Sequence, residues 1–189
     1  MIMKYAMIAA FAATALSATA ASAGTLQGEV RLGDVRGGRA PDSTEYRVQW
    51  DAPIARGFQY GVELQVKQGN NEGPIGSKVS AKLGYALPTV LGFDALAYGE
   101  VGKNLKERDN FEFWGAGAKV KRQVYGPVSI NAGYRHREAF TGTRRLTENR
   151  LNAGLGYALS DNNTVGVSYY RTTGTTRTDQ IGLGLTHTF

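Results

Sequence analysis

The chain has 189 residues, with 22 Lys+Arg against 16 Asp+Glu, 25 Gly and no Cys. The missing cysteines exclude a disulfide framework, a thiolate metal site and a cysteine nucleophile, and the length excludes a large two-domain enzyme. Ordinary charged and apolar fractions, 20% and 42%, argue against wholesale disorder.

Residues 1–23 differ in character from the rest of the chain. Lys4 precedes an apolar run at 6–15 (AMIAAFAATA), and 21–23 (ASA) has the small-x-small form of a cleavage site. This is the layout of a secretory signal peptide. A membrane-anchoring helix needs ~20 apolar residues, and this run meets Thr and Ser too early. Removing 23 of 189 residues leaves 166, beginning at Gly24. Residues 24–189 are expected to form one domain.

From Gly24 onward the period is two, which predicts strands. In the first strand Leu26, Val30 and Leu32 alternate with Gln27, Glu29 and Arg31; the second, read as short, sets Tyr46, Val48 and Trp50 against Arg47, Gln49 and Asp51. Phe58 to Val66 and Val79 to Leu87 follow, with Glu63, Lys67, Lys78 and Lys82 on their polar faces. Two strands read less cleanly. Around 93–101, one phase alone keeps Asp94 and Glu100 off the apolar face. In 111–124, Phe111 and Phe113 stand opposite Trp114, Ala116, Ala118 and Val120. The remaining strands run over 128–134, 151–159, 165–169 and 181–189. Turn-forming residues separate them at 36–43, 52–57, 69–76, 88–92, 106–110, 125–127, 139–145, 160–163 and 172–178. Ten strands result. Eight would need two of these breaks to be bulges. The pentapeptide LGYAL recurs at 83–87 and 155–159, four strands apart and hence in the same direction.

Alternation alone suits a soluble sandwich, a soluble ligand barrel or a membrane barrel. Three features favour the last. Glycine crowds the polar face (Gly61, Gly84, Gly133, Gly154, Gly156, Gly166, Gly182, Gly184), where small residues relieve crowding inside a narrow closed barrel. Aromatic residues gather at two levels, as at lipid headgroups. One level has Trp50, Phe58, Tyr60, Tyr85, Phe93, Tyr125, Tyr157 and Phe189; the other has Tyr46, Phe111, Phe113, Trp114, Tyr134, Phe140 and Tyr169. The third feature is the last strand, ending on Phe189.

That strand, with alternating apolar residues, Gly184, Leu185 and a terminal Phe189, resembles the C-terminal assembly signal of Gram-negative outer-membrane barrels. His187 departs from the usual apolar or aromatic residue two places before the end. The resemblance extends to the class of small outer-membrane β-barrel proteins: an all-β, antiparallel up-and-down transmembrane barrel of ten strands (alternative eight). It implies insertion by the barrel assembly machinery, contact with outer-membrane lipid and lipopolysaccharide, and both termini in the periplasm. Oligomeric state is not legible.

Strand phase assigns the lumen Glu29, Arg31, Glu45, Arg47, Asp51, Glu63, Lys67, Lys78, Lys82, Asp94, Glu100, Lys119, Lys121, Arg135, Arg137, Glu148 and Arg150. Asp94 and Glu100 are expected to meet Lys82, Lys119 and Lys121 across neighbouring strands. The basic excess would tilt an open path toward anions. Arg36, Arg39, Arg144, Arg145 and Arg177, on the outer connections, could pair with lipopolysaccharide phosphates or be solvated loop charges.

Enzyme motifs are not found. The two histidines, His136 and His187, fall on the apolar face near the rims, so no catalytic residue is assigned. No glycine pair precedes a helix that would hold a phosphate, and no metal-ligand spacing appears. No cofactor, metal or nucleic-acid partner is expected. The leading function is a narrow passive pore for ions or very small solutes with a weak anion preference. The alternative is a non-conducting barrel that stabilises the envelope or binds lipopolysaccharide; a membrane-embedded enzyme ranks last.

Overall fold

The computed structural model describes residues 23–33, 43–69, 76–105, 110–141, 146–175 and 177–189. Ten strands follow in chain order: β1 (Thr25–Gly33), β2 (Ser43–Ala55), β3 (Phe58–Gly69), β4 (Gly76–Val90), β5 (Phe93–Leu105), β6 (Phe111–Tyr125), β7 (Val128–Ala139), β8 (Thr147–Ala158), β9 (Asn163–Gly174) and β10 (Thr178–Thr188). Each pairs antiparallel with its chain neighbours, and β1 closes on β10 from Thr25↔Thr188 to Gly33↔Gln180. The barrel is closed, up-and-down and ten-stranded, so the eight-strand alternative falls away. Closure leaves no strand edge unpaired, as a sheet in lipid requires.

The strands run longer than the alternation suggested. β2 has 13 residues rather than being short, and β4 and β6 have 15 each. Bulges at Pro53/Ala55, Leu87/Val90 and Gln123/Tyr125 carry β2, β4 and β6 past the residues that read as breaks. Two of the resulting turns are two-residue links with φ positive at both positions, Arg56 and Gly57 at 50° and 85° and Leu91 and Gly92 at 53° and 75°. Such turns match the twist of the strands they join. At the same end, the Phe189 N–H donates to the Gly24 carbonyl (2.9 Å), and Asn162 Nδ2 donates to the Thr188 carbonyl (2.8 Å). We call this the terminus end; the opposite rim is the far end.

The outward face is apolar and exposed, with Leu83, Leu155, Val167, Ile181 and Leu183 on it. At the terminus end Trp50 packs edge-on to Tyr60 (5.0 Å between centroids), Phe58 tilts on Tyr85 (4.9 Å), and His187 meets Phe189 (4.5 Å). Tyr85 and Tyr157, from the repeated pentapeptide, are both exposed on the outer surface. At the far end Trp114, Tyr134 and Tyr169 face outward, but Phe111 and Phe113 do not belong to that belt. Both are buried in the lumen, because they share a face with Gly115 and Gly117, while Trp114 takes the outer one.

Candidate functional site: the charged lumen

The far half of the lumen is filled by side chains. Arg137, Phe113, Gln49, Gln180 and Glu63 are each 0–2% exposed. Glu63 on β3 gathers four cations. Arg47 Nε donates to it at 2.8 Å, Lys82 Nζ makes a further contact, and Arg135 Nη1 and Arg137 Nη2 donate at 3.4 and 3.0 Å. The two β7 arginines come from across the barrel, four strands away round the ring. Arg137 also grips Glu100 with two N–H groups, at 2.5 and 2.9 Å, and lies over the Phe113 ring at 4.8 Å.

Two further bridges cross the lumen. Lys78 reaches Glu148 at 3.3 Å, and Arg150 stands 3.7 Å from Glu45. Arg31 donates to Glu29 (2.8 Å) and Glu45 (2.7 Å), with its guanidinium stacked on Tyr170 at 4.0 Å. The Tyr170 hydroxyl donates to Glu29. A buried charge is costly unless paired and hydrogen-bonded, and this network pairs its carboxylates several times over. The result is a polar partition across the barrel.

Glycines let these chains lie flat. A Cβ on Gly102 would stand 2.5 Å from the Phe113 ring, and one on Gly182 2.5 Å from Glu29 Oε1.

The expected neighbour-strand pairs form differently. Lys82 and Glu100 are register partners, as are Asp94 and Lys121. Yet Lys82 turns to Glu63 and Gln49, Glu100 is taken by Arg137, and Asp94 accepts the Thr89 hydroxyl at 2.7 Å. Guanidinium forks offer two parallel donors to a carboxylate and outcompete ammonium groups for it. Asp94 and Lys67 sit on the inward phase but at opposite rims, exposed.

The terminus half of the lumen is different. It holds a cavity of about 370 Å³ whose walls carry Arg31, Arg47, Lys82, Lys119, Lys121, Arg135 and Arg150 against one carboxylate, Glu29. Thr25, Thr186 and Thr188 line its mouth. Lys119 and Lys82 stand over the same Tyr98 ring, at 5.6 and 5.7 Å. Among the described residues no carboxylate lies within 4 Å of Lys119 or Lys121. Tyr98 and Tyr170 were not singled out from sequence, although Tyr98 shares the phase of Asp94 and Glu100.

On the outer surface, His136 Nδ1 and the Tyr134 hydroxyl meet Asn149 Oδ1 at 2.9 and 2.7 Å, beside Trp114. In the terminal strand, Gly184 faces the cavity, Leu185 faces out, and His187 Nδ1 meets Asn163 Oδ1 at 2.9 Å. Arg36, Arg39, Arg144 and Arg145, like the segment 1–22, lie outside the described residues; Arg177 is exposed. No cluster of three or more His, Asp or Glu among the described residues is placed to hold a metal ion.

A closed ring of amphipathic strands with an apolar belt outside and charges inside decides the architecture. The fold is that of an outer-membrane β-barrel. It is similar to the β domain of the Bordetella autotransporter BrkA, at 14% identity over 89% of this chain and 100% of that one (TM-score 0.59). The translocator domain of autotransporter NalP from Neisseria meningitidis aligns at 12% identity over 98% of both chains (TM-score 0.54). KdgM porin in complex with disordered oligogalacturonate aligns at 13% identity over 87% of this chain and 99% of that one (TM-score 0.50). No family model and no curated protein matches the chain.

Proposed function

We propose that this protein is an outer-membrane barrel whose lumen is closed to solutes, acting in the envelope as a binding or stabilising barrel rather than as an open channel. One observation carries the reading: Glu63, Arg135 and Arg137 bridge opposite walls while remaining only 1–7% exposed. In this reading residues 1–23 are a removed leader, the mature chain begins at Gly24, and both termini face the periplasm. The strand carrying Gly184, Leu185, His187 and Phe189 engages the assembly machinery. In the same reading Arg36, Arg39, Arg144 and Arg145 would pair with lipopolysaccharide phosphates. Catalysis and nucleic-acid binding have no part in it.

A second reading, a narrow pore with a weak anion preference, draws support from the basic cavity. In that case the partition would have to rearrange to let ions through. Planar-bilayer recording of the purified protein separates the two. The closed reading expects no unitary current steps. Steady steps, with a reversal potential displaced toward anions in a salt gradient, would put the pore first.

A further inference from the structure

We propose that the cavity in the terminus half of the lumen is a binding site for a small soluble phosphomonoester dianion, entered from the terminus end. The inference deepens the closed-barrel reading and rests on it only for entry from one side.

Seven basic side chains and one carboxylate line about 370 Å³, a volume at the small end of those that enclose ligands; Arg31, Arg47, Lys82, Arg135 and Arg150 also pair with glutamates of the partition, so Lys119 and Lys121 supply the surplus. The acids that neutralise the lumen are committed to the partition: Glu63 to four cations, Glu100 to Arg137, and Glu148 to Lys78 and Arg135. Lys119 and Lys121, two apart on β6 and on one face, keep positive charge in the cavity with no carboxylate within 4 Å among the described residues.

Two guanidinium groups of the cavity wall also have unused hydrogen-bonding capacity. Arg135 and Arg150 both line the cavity and are 7% exposed. Arg135 Nε and Arg150 Nη1 nevertheless have no hydrogen-bond partner among the described residues. Arg135 Nε stands 3.8 Å from a Glu100 oxygen and Arg150 Nη1 3.7 Å from a Glu45 oxygen. Such distances leave Coulomb attraction but no hydrogen bond. A buried donor without an acceptor is destabilising; both nitrogens are closed off from the cavity, so an oxyanion there would meet them only once the guanidinium groups turn toward it. Guanidinium groups suit the tetrahedral oxygens of phosphate, with lysines adding charge. A dianion fits the surplus better than a monocarboxylate because more than one cation is left without an acid.

Thr25, Thr164, Thr186 and Thr188, which line the cavity, lie at the terminus ends of their strands, so a soluble solute would enter from that rim.

The test is isothermal titration calorimetry of the full protein in neutral detergent, with glucose 6-phosphate as probe, glucose as uncharged control, and chloride held constant. Saturable binding of the phosphorylated sugar, and none of glucose, is expected. Lys119→Gln with Lys121→Gln should weaken it by at least about tenfold, a loss near 1.4 kcal/mol. Lys103→Gln, on the outer wall, should leave it unchanged. Heat-modifiable gel mobility reports folding; if the double variant fails to fold, Lys121→Gln alone, at the exposed mouth, should still weaken binding severalfold. Two results would overturn the proposal: absence of saturable binding, or equal losses from Lys103→Gln and from the cavity variants. Bilayer recording scores closure separately, so a conducting protein that binds the probe refutes the partition and leaves the site standing.

Discussion

The two halves of the lumen draw on the same residue types and reach opposite outcomes. In the far half, arginines and glutamates arrive from facing walls and lock together, with Arg137 held by both Glu100 and Glu63. In the terminus half, lysines stand along β6 with an aromatic ring and small polar residues opposite, and a cavity remains. The difference lies in where the carboxylates are. Glu45 and Glu148 sit near the far end of their strands and Glu63 and Glu100 near the middle, so Lys119 and Lys121, toward the terminus end of β6, are left facing space. Charge in a narrow barrel closes it where signs alternate across the lumen, and holds it open where one sign prevails.

The strongest way to break the contrast is to remove the shared acid. Glu63→Ala leaves four buried cations without their common partner and should cost about 3–5 kcal/mol, as breaking a buried pair does. Urea unfolding in detergent would measure it, and a loss under 1 kcal/mol would mean that water already bathes the network. Outside the barrel, Leu183→Arg should cost about 2–4 kcal/mol in bilayers and much less in detergent. Equal costs in both would show that this face does not meet lipid. The exposed Lys103–Glu112 pair at 3.4 Å is the control for charge at a wet surface. Lys103→Ala should shift stability by only about 0.2–1 kcal/mol, and raised salt should erase the shift. Smallest of all, Lys121→Gln should stay within about 0.5 kcal/mol of wild type, because no carboxylate depends on it. A destabilisation as large as that of Glu63→Ala would make the cavity wall part of the partition.

Much of this fold was legible because a two-residue period states which side chains share a face, and closure requires little else. Leu83 and Leu155 outside, and Glu63 and Lys82 inside, follow from their neighbours in sequence. The misplacement of Phe111 and Phe113 came from giving aromatic character priority over phase; the inward glycines at 115 and 117 already marked their face. Bulges hid the ends of β2, β4 and β6, since a bulge breaks alternation without ending the strand. The lumen pairing was less legible for a different reason. Register identifies neighbours such as Lys82 and Glu100, but contact between Glu63 and Arg137 depends on the curvature that brings β3 to face β7. No local pattern in either strand reports that meeting.

The chain has no cysteine, which permits a direct test of the partition. Lys121→Cys and Lys67→Cys place single thiols on the inward phase at the two mouths of the lumen. Each is exposed to a small, charged, membrane-impermeant thiol reagent added to one side of vesicles in which protease digestion has established a single orientation. The account predicts that Cys at 121 reacts only from the terminus side and Cys at 67 only from the far side. Reaction of either thiol at comparable rates from both sides would contradict it.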